Sequence, residues 1–191
     1  MIKAVIFDCF GVITTDGLEV VIGEAEQKNP GVRVRISDVI AQANRGEISV
    51  TESRAKVSRL LGVTPEEYSQ EVRKHEHRNE ALLVYIPTLR GQYKTALLSN
   101  VPAESLEKRF PKTEMNTYFD KLFVSGDLGM AKPDEAIYRY AATELGVQLD
   151  ECVFIDDRQH YLDPAQQLGM HTILFKNNEQ FFNDIAGILS A

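Results

Sequence analysis

The chain has 191 residues, of which 43% are hydrophobic and 26% charged, with a formal net charge of −7. That composition describes an ordinary globular unit with enough length for a sizeable core, not a disordered chain. The negative balance argues against a sequence-independent nucleic-acid binder, which needs a basic surface, and there is no run of about 18 apolar residues to span a membrane.

The first element is the apolar run Ala4–Phe7, which reads as a buried strand. The surrounding MIKAVIFDCFGVI lacks a separate charged region and a small-residue cleavage site, and carries Asp8 in its middle. It is therefore expected to be a strand and not a signal peptide. The two cysteines, Cys9 and Cys152, lie in such runs and read as reduced core thiols of a cytoplasmic protein. In an extended strand end Cys9 points opposite to Asp8.

From Thr15 to Asn79 no strong strand appears. Helical stretches fit Leu18–Gln27, Ser37–Asn44, Thr51–Leu61 and Thr64–His77, with Ser37, Thr51 and Thr64 as expected N-caps. Thr64-Pro65-Glu66-Glu67 is a full start signal, with a cap, a proline at the first position and a Glu three residues after the cap. After residue 80, strands and helices alternate. Apolar runs at Thr95–Leu98, Cys152–Ile155 and Thr172–Phe175, and a weaker one at Leu122–Val124, read as strands. Helices are expected at Glu80–Gly91, Glu104–Phe110, Pro133–Leu145, Pro164–Leu168 and Glu179–Leu189. The pattern predicts an α/β fold, a Rossmann-like parallel sheet flanked by helices. Residues 1–14 and 80–191 would form the core, and residues 15–79 a small helical cap inserted after the first strand.

In open parallel sheets the ligand site lies beyond the carboxyl ends of the strands. Asp8-Cys9-Phe10-Gly11 follows the first strand, Ser99-Asn100 the second and Asp156-Asp157 another, while Lys132-Pro133 stands before a helix. On one rim these would supply a nucleophile, a cation site and an anion clamp.

The order and spacing of these segments resemble the haloacid dehalogenase superfamily, which includes many phosphatases. The resemblance rests on Ala4–Ile13, Ala96–Asn100, Lys132–Tyr138 and Cys152–Asp157, and covers nearly the whole chain. It implies that Asp8 is a nucleophile forming a covalent aspartyl intermediate. It further implies that Mg²⁺ is held by Asp8, the backbone carbonyl of Phe10 and Asp157, with Asp156 binding directly or at one remove. Ser99 and the Asn100 backbone would bind phosphoryl oxygens, and Lys132 would add a charge to them and steady Asp8. The expected activity is hydrolysis of small phosphorylated metabolites by a monomer or homodimer.

Two positions depart from the family pattern. Phosphatases of this kind carry a second Asp two residues after the nucleophile, which protonates the leaving alcohol and then activates water; here Phe10 can do neither. An aromatic residue there is also a dehalogenase feature, so a metal-independent 2-haloacid dehalogenase is the alternative, with Arg33, Arg35 or Arg45 available for a substrate carboxylate. The Asp156-Asp157 pair favours the metal-dependent reading, because adjacent carboxylates beside Asp8 repel without a cation. With Phe10 in place three outcomes stand open. The leaving group departs without a proton, as from an anomeric or acyl phosphate; another group, such as His160 or Asp16, protonates it; or the fold keeps only phosphate and metal binding. Tyr161 is the second departure, standing where Asp or Asn would support the metal site. Glu76, between His75 and His77, is expected on a solvated helix face.

Overall fold

The computed structural model describes residues 1–102, 105–107 and 109–190. Five parallel strands form one sheet in the order β3-β2-β1-β4-β5. They are β1 (Ala4–Phe7), β2 (Lys94–Ser99), β3 (Lys121–Val124), β4 (Cys152–Asp156) and β5 (His171–Leu174). All five strands expected from the apolar runs are present. The chain builds outward from β1 to β2 and β3, then returns to the other side of β1 for β4 and β5. The order therefore reverses between β1 and β4, where an α/β sheet opens a crevice.

Strand alternation sorts the side chains into two layers. On one face Val5, Phe7, Leu97, Val153 and Ile155 pack with helices α5 (Glu80–Leu89), α6 (Lys112–Tyr118) and α10 (Asn178–Leu189). On the other, Ala4, Ile6, Leu98 and Phe154 pack with α8 (Glu135–Leu145) and α9 (Gln159–Gln167). Asp8 follows the parity of Ala4 and Ile6, whereas Cys9 is fully buried with Val5 and Phe7. The expected opposition of Asp8 and Cys9 is therefore present.

Four helices stand between β1 and α5: α1 (Gly17–Lys28), α2 (Val32–Asn44), α3 (Val50–Leu61) and α4 (Pro65–Lys74). Their own small core centres on Ile22, Val32, Ile36 and Val57. The segments that enter and leave this unit run side by side. The Thr15 N–H donates to the His77 carbonyl at 3.0 Å, and the Asn79 N–H to the Ile13 carbonyl at 2.8 Å.

Several local expectations are corrected. Thr64 caps α4 in a complete capping box, but Ser37 and Thr51 cap nothing. Helix α2 starts after Gly31, and α3 is capped by Ser49, whose side chain accepts the Glu52 N–H. Ser49 and Glu52 already form the cap-plus-three pattern that marks a helix start. Within the expected Glu104–Phe110 helix, Ser105–Glu107 and Arg109 lie in turns, while Glu104 and Lys108 fall outside the described residues. Helix α8 begins at Glu135 and not at Pro133. Helix α9 begins five residues before Pro164, which it carries internally. Helices α6 and α7 (Ser125–Leu128) are short and lacked a start signal strong enough to predict them.

Candidate active site

The register places the rim residues. Phe7 is level with Ile155 on one side and Leu97 on the other, so Asp8 stands beside Asp156 at the carboxyl end of the sheet. The Asp8 N–H donates to the Ile155 carbonyl at 2.8 Å, which fixes the backbone of Asp8 as an extension of the ladder. Lys132 enters from the loop before α8 and is only 3% exposed. Its Nζ donates to Asp8 Oδ1 at 2.7 Å and to Asp156 Oδ2 at 2.6 Å. The rings of Phe154 and Tyr161 lie against the same ammonium, at 5.2 and 4.9 Å from their centroids. Tyr161 thus contributes an aromatic face to the lysine. Its carbonyl accepts a bond from the Tyr138 hydroxyl at 2.7 Å.

Asn100 holds Lys132 from behind. Its side-chain amide donates to the Lys132 carbonyl at 2.7 Å and accepts the Lys132 N–H at 2.9 Å. The Asn100 side chain therefore positions the lysine, leaving only its backbone for any ligand. Next to it, the Ser99 hydroxyl is buried and has no hydrogen-bond partner among the described residues. A buried polar atom without a partner costs free energy, and such atoms in native folds signal a missing ligand, water or ion.

Asp156 and Asp157 differ in kind. Both oxygens of Asp156 are engaged, Oδ2 by Lys132 and Oδ1 by the Arg158 N–H at 2.9 Å. By contrast, Asp157 Oδ1 is buried with no partner among the described residues. One carboxylate oxygen from each of Asp8, Asp156 and Asp157 lies within 4.8 Å of the others. Gly11 makes room for this group. At φ +99°, it lies so close that an added Cβ would sit 2.3 Å from the Asp157 carboxyl carbon. Glycine is required there both by the left-handed backbone and by the absent side chain.

The electrostatics follow from burial. Desolvation is the largest influence on Asp8 and raises its carboxyl to about 7, against the pull of Lys132 and with the push of Asp156. Asp157 is raised to about 6, again mainly by burial and then by Asp156. Burial opposes the Lys132 ammonium, but Asp156 and Asp8 together outweigh it and hold the lysine charged. Three carboxylates against one ammonium leave two unbalanced negative charges when all are ionised. A divalent cation with oxygen ligands would neutralise them.

The rim opens into a cavity of about 460 Å³. Its far wall comes from the four-helix unit, through residues such as Leu18, Ile22, Arg54 and Tyr68. Glu76 also lines it and is not on a solvated face: its side chain is only 12% exposed. Both Glu76 oxygens accept from Arg109 Nε, at 2.9 and 3.0 Å, and the guanidinium lies over the Phe10 ring at 5.4 Å. Asp16 caps α1 and pairs with Arg158 at 2.7 Å. His160 is exposed at the cavity edge, its ring tilted against Tyr161 with centroids 4.0 Å apart. Arg33 is bound to Glu19 on the helical unit, and Arg45 lines the cavity paired with Glu47. The structure thus brings Asp8, Ser99, Asn100, Lys132, Asp156 and Asp157 together. Arg109, Glu76, Arg54 and Tyr68 were not anticipated there, because they sit on separate elements with no shared motif.

The sequence matches the haloacid dehalogenase-like hydrolase family over residues 2–169. This chain is a haloacid dehalogenase-like hydrolase. The hydrolase is 27% identical to D-ribitol-5-phosphate phosphatase of Bacteroides thetaiotaomicron over 214 aligned positions, covering all of both chains. It is 26% identical to bifunctional epoxide hydrolase 2 of Sus scrofa, covering 96% of this chain and 38% of that protein. It spans 19% of the drimenol cyclase drtB of Aspergillus calidoustus, so it matches only part of some relatives. Among solved structures it shares its fold with a HAD family enzyme from Bacteroides thetaiotaomicron in complex with magnesium and inorganic phosphate. The TM-score is 0.74 at 24% identity, over 92% of this chain and 95% of that one. No helix among the described residues is long and apolar enough to cross a membrane.

Proposed function

We propose that the hydrolase is a Mg²⁺-dependent phosphatase of small phosphorylated metabolites, with Asp8 as nucleophile and the four-helix unit as a cap over the cavity. The observation that carries this reading is the pairing of an unpartnered Asp157 oxygen with an unpartnered Ser99 hydroxyl on either side of Asp8. A cation would satisfy the first and a phosphoryl oxygen the second. The relationship to D-ribitol-5-phosphate phosphatase supports the same direction. Metal-independent dehalogenation fits less well, since it leaves the Asp157 carboxylate with nothing to do.

Asp8 and Asp157 would hold Mg²⁺ through their free carboxylate oxygens, with the Phe10 carbonyl as a further ligand, while Asp156, already bound twice, orients Lys132. Bound there, the cation would offset the repulsion between carboxylate and phosphate. The chain's own groups do the rest. Lys132 fixes the direction of the Asp8 carboxylate and supplies positive charge for phosphoryl oxygens. Ser99 donates a hydrogen bond to one of them. Asn100 holds the Lys132 backbone and so the position of its ammonium.

The test is phosphate release from p-nitrophenyl phosphate and a panel of sugar phosphates. Release should require Mg²⁺, stop with EDTA, and fall by at least ~10³-fold in Asp8→Asn. No release across a broad panel that includes acetyl phosphate, with Mg²⁺ present, would overturn the reading.

A further inference from the structure

The leaving group sets a problem that the rim does not solve. Phe10 stands where a proton donor would be expected, and the groups around it are not free acids. Glu76 is held by two contacts from Arg109. Asp16 is held by Arg158 and by the Glu19 N–H. A carboxylate fixed in this way by a guanidinium is an acceptor, not a donor. What does stand over Phe10 is a cation, the Arg109 guanidinium. The cavity beyond it has a second one. Arg54 lines the same cavity as Arg109 and Tyr68, and among the described residues it forms no ion pair.

We propose that the site cleaves phosphoric anhydrides, acyl phosphates and diphosphates, whose leaving group departs as an anion that Arg109 stabilises in place of a general acid. The inference rests on the phosphatase reading above. In the first step Asp8 bonds to phosphorus. The bond from phosphorus to the bridging oxygen breaks, and its electron pair leaves on that oxygen as a carboxylate or phosphate. No proton is consumed. In the second step water adds to the phosphorus and the Asp8 carboxylate departs. Both hydrogens of the water leave on dihydrogen phosphate, which releases one to solvent. A leaving group that is already a stable anion makes Phe10 tolerable, whereas an alkoxide would not. Arg54, on the wall of the same cavity, would supply a second positive charge to the remote part of an anionic leaving group.

The test uses the full chain with Mg²⁺ and measures kcat/KM, which reports the first step, over aryl phosphates of graded leaving-group acidity. Without a general acid, kcat/KM should fall by roughly tenfold per unit of phenol pKa, and acetyl phosphate should exceed alkyl phosphates by about 10³-fold or more. Phe10→Asp should flatten the dependence. Arg109→Gln should lower kcat/KM about 10²-fold and steepen it further. Because that variant leaves Glu76 unpaired, the Glu76→Gln/Arg109→Gln double variant is measured beside it and should show the same steepening. Tyr68→Phe and His160→Gln should leave the slope alone. A shallow slope in the unmodified protein overturns the inference while leaving a phosphatase. So does steepening in Tyr68→Phe or His160→Gln, which would reveal the acid. No phosphate from any substrate, acetyl phosphate included, removes the phosphatase reading as well.

Discussion

At the sheet rim Lys132 ties Asp8 to Asp156, and Asp156 has a second partner in the Arg158 N–H. Lys132 alone is fixed by two carboxylates, two aromatic faces and the Asn100 amide. The opposite wall is built differently. Its helices share a small core of four buried apolar residues, enter and leave through paired segments at residues 13–15 and 77–79, and reach the rest of the fold through ion pairs such as Arg109–Glu76 and Arg158–Asp16. The difference teaches how the two jobs are divided. The nucleophile proposed at Asp8 needs a fixed direction, which the deep two-layered sheet supplies. If the helical unit is the proposed cap, a wall that receives varied substrate ends can work with a smaller core and lower local stability.

The largest effect that could break this comparison is at Lys132. Lys132→Met leaves Asp8 and Asp156 buried without their cation, and should cost about 3–5 kcal/mol at neutral pH, read by urea unfolding. A loss below about 1 kcal/mol would mean that the rim is as loosely held as the wall. The next test compares two fully buried isoleucines, Ile86 under the sheet and Ile36 in α2. Each truncation to Ala should cost about 3 kcal/mol locally. Ile86→Ala should speed exchange of the β-strand amides, whereas Ile36→Ala should speed exchange only in α1–α4. If Ile36→Ala loosens the strands equally, the two regions unfold as one.

A third test is Mg²⁺ and pH. Asp8 and Asp157 bind protons in the fold up to about 7 and about 6, above the usual carboxylate range. The folded state therefore holds more protons than the unfolded one, and stability without metal should decline as pH rises from about 4 to 7. Mg²⁺ competes with those protons, so its rise in Tm should be small at pH 5 and large at pH 8. At a hundredfold excess over Kd the upper limit is about 2.7 kcal/mol. An equal rise at both pH values would place the ion away from these carboxylates. The smallest effect is expected at Thr64. Thr64→Ala removes the capping box of α4 and should cost about 1 kcal/mol, confined to exchange at the start of that helix.

The rim was legible in the sequence because each of its residues closes an apolar strand or precedes a helix, so the order of β1, β2 and β4 alone converges them. The strands were legible for the same reason, as apolar runs too short for helices. The wall was not. Glu76 sits between two histidines on what reads as an exposed helix, and only folding brings Arg109 from the loop after β2 to cover it. No local pattern encodes a contact across 33 positions. Tyr161 shows a role that its place in the sequence did not suggest. Its place suggested a weakened metal site, but its ring serves Lys132.

The alternation of β1 has a further consequence. Asp8 faces the lysine and Cys9 faces the core only because the strand has its present count of residues. Deleting one residue between Ala4 and Phe7 while keeping the pairing of the strand's start would exchange the two. A thiol would then meet Lys132, and a carboxylate would be driven among Phe7's apolar neighbours. The reactivity of this site is in that sense a matter of odd and even, and insertions or deletions in β1 should be far less tolerated than any substitution that preserves the count.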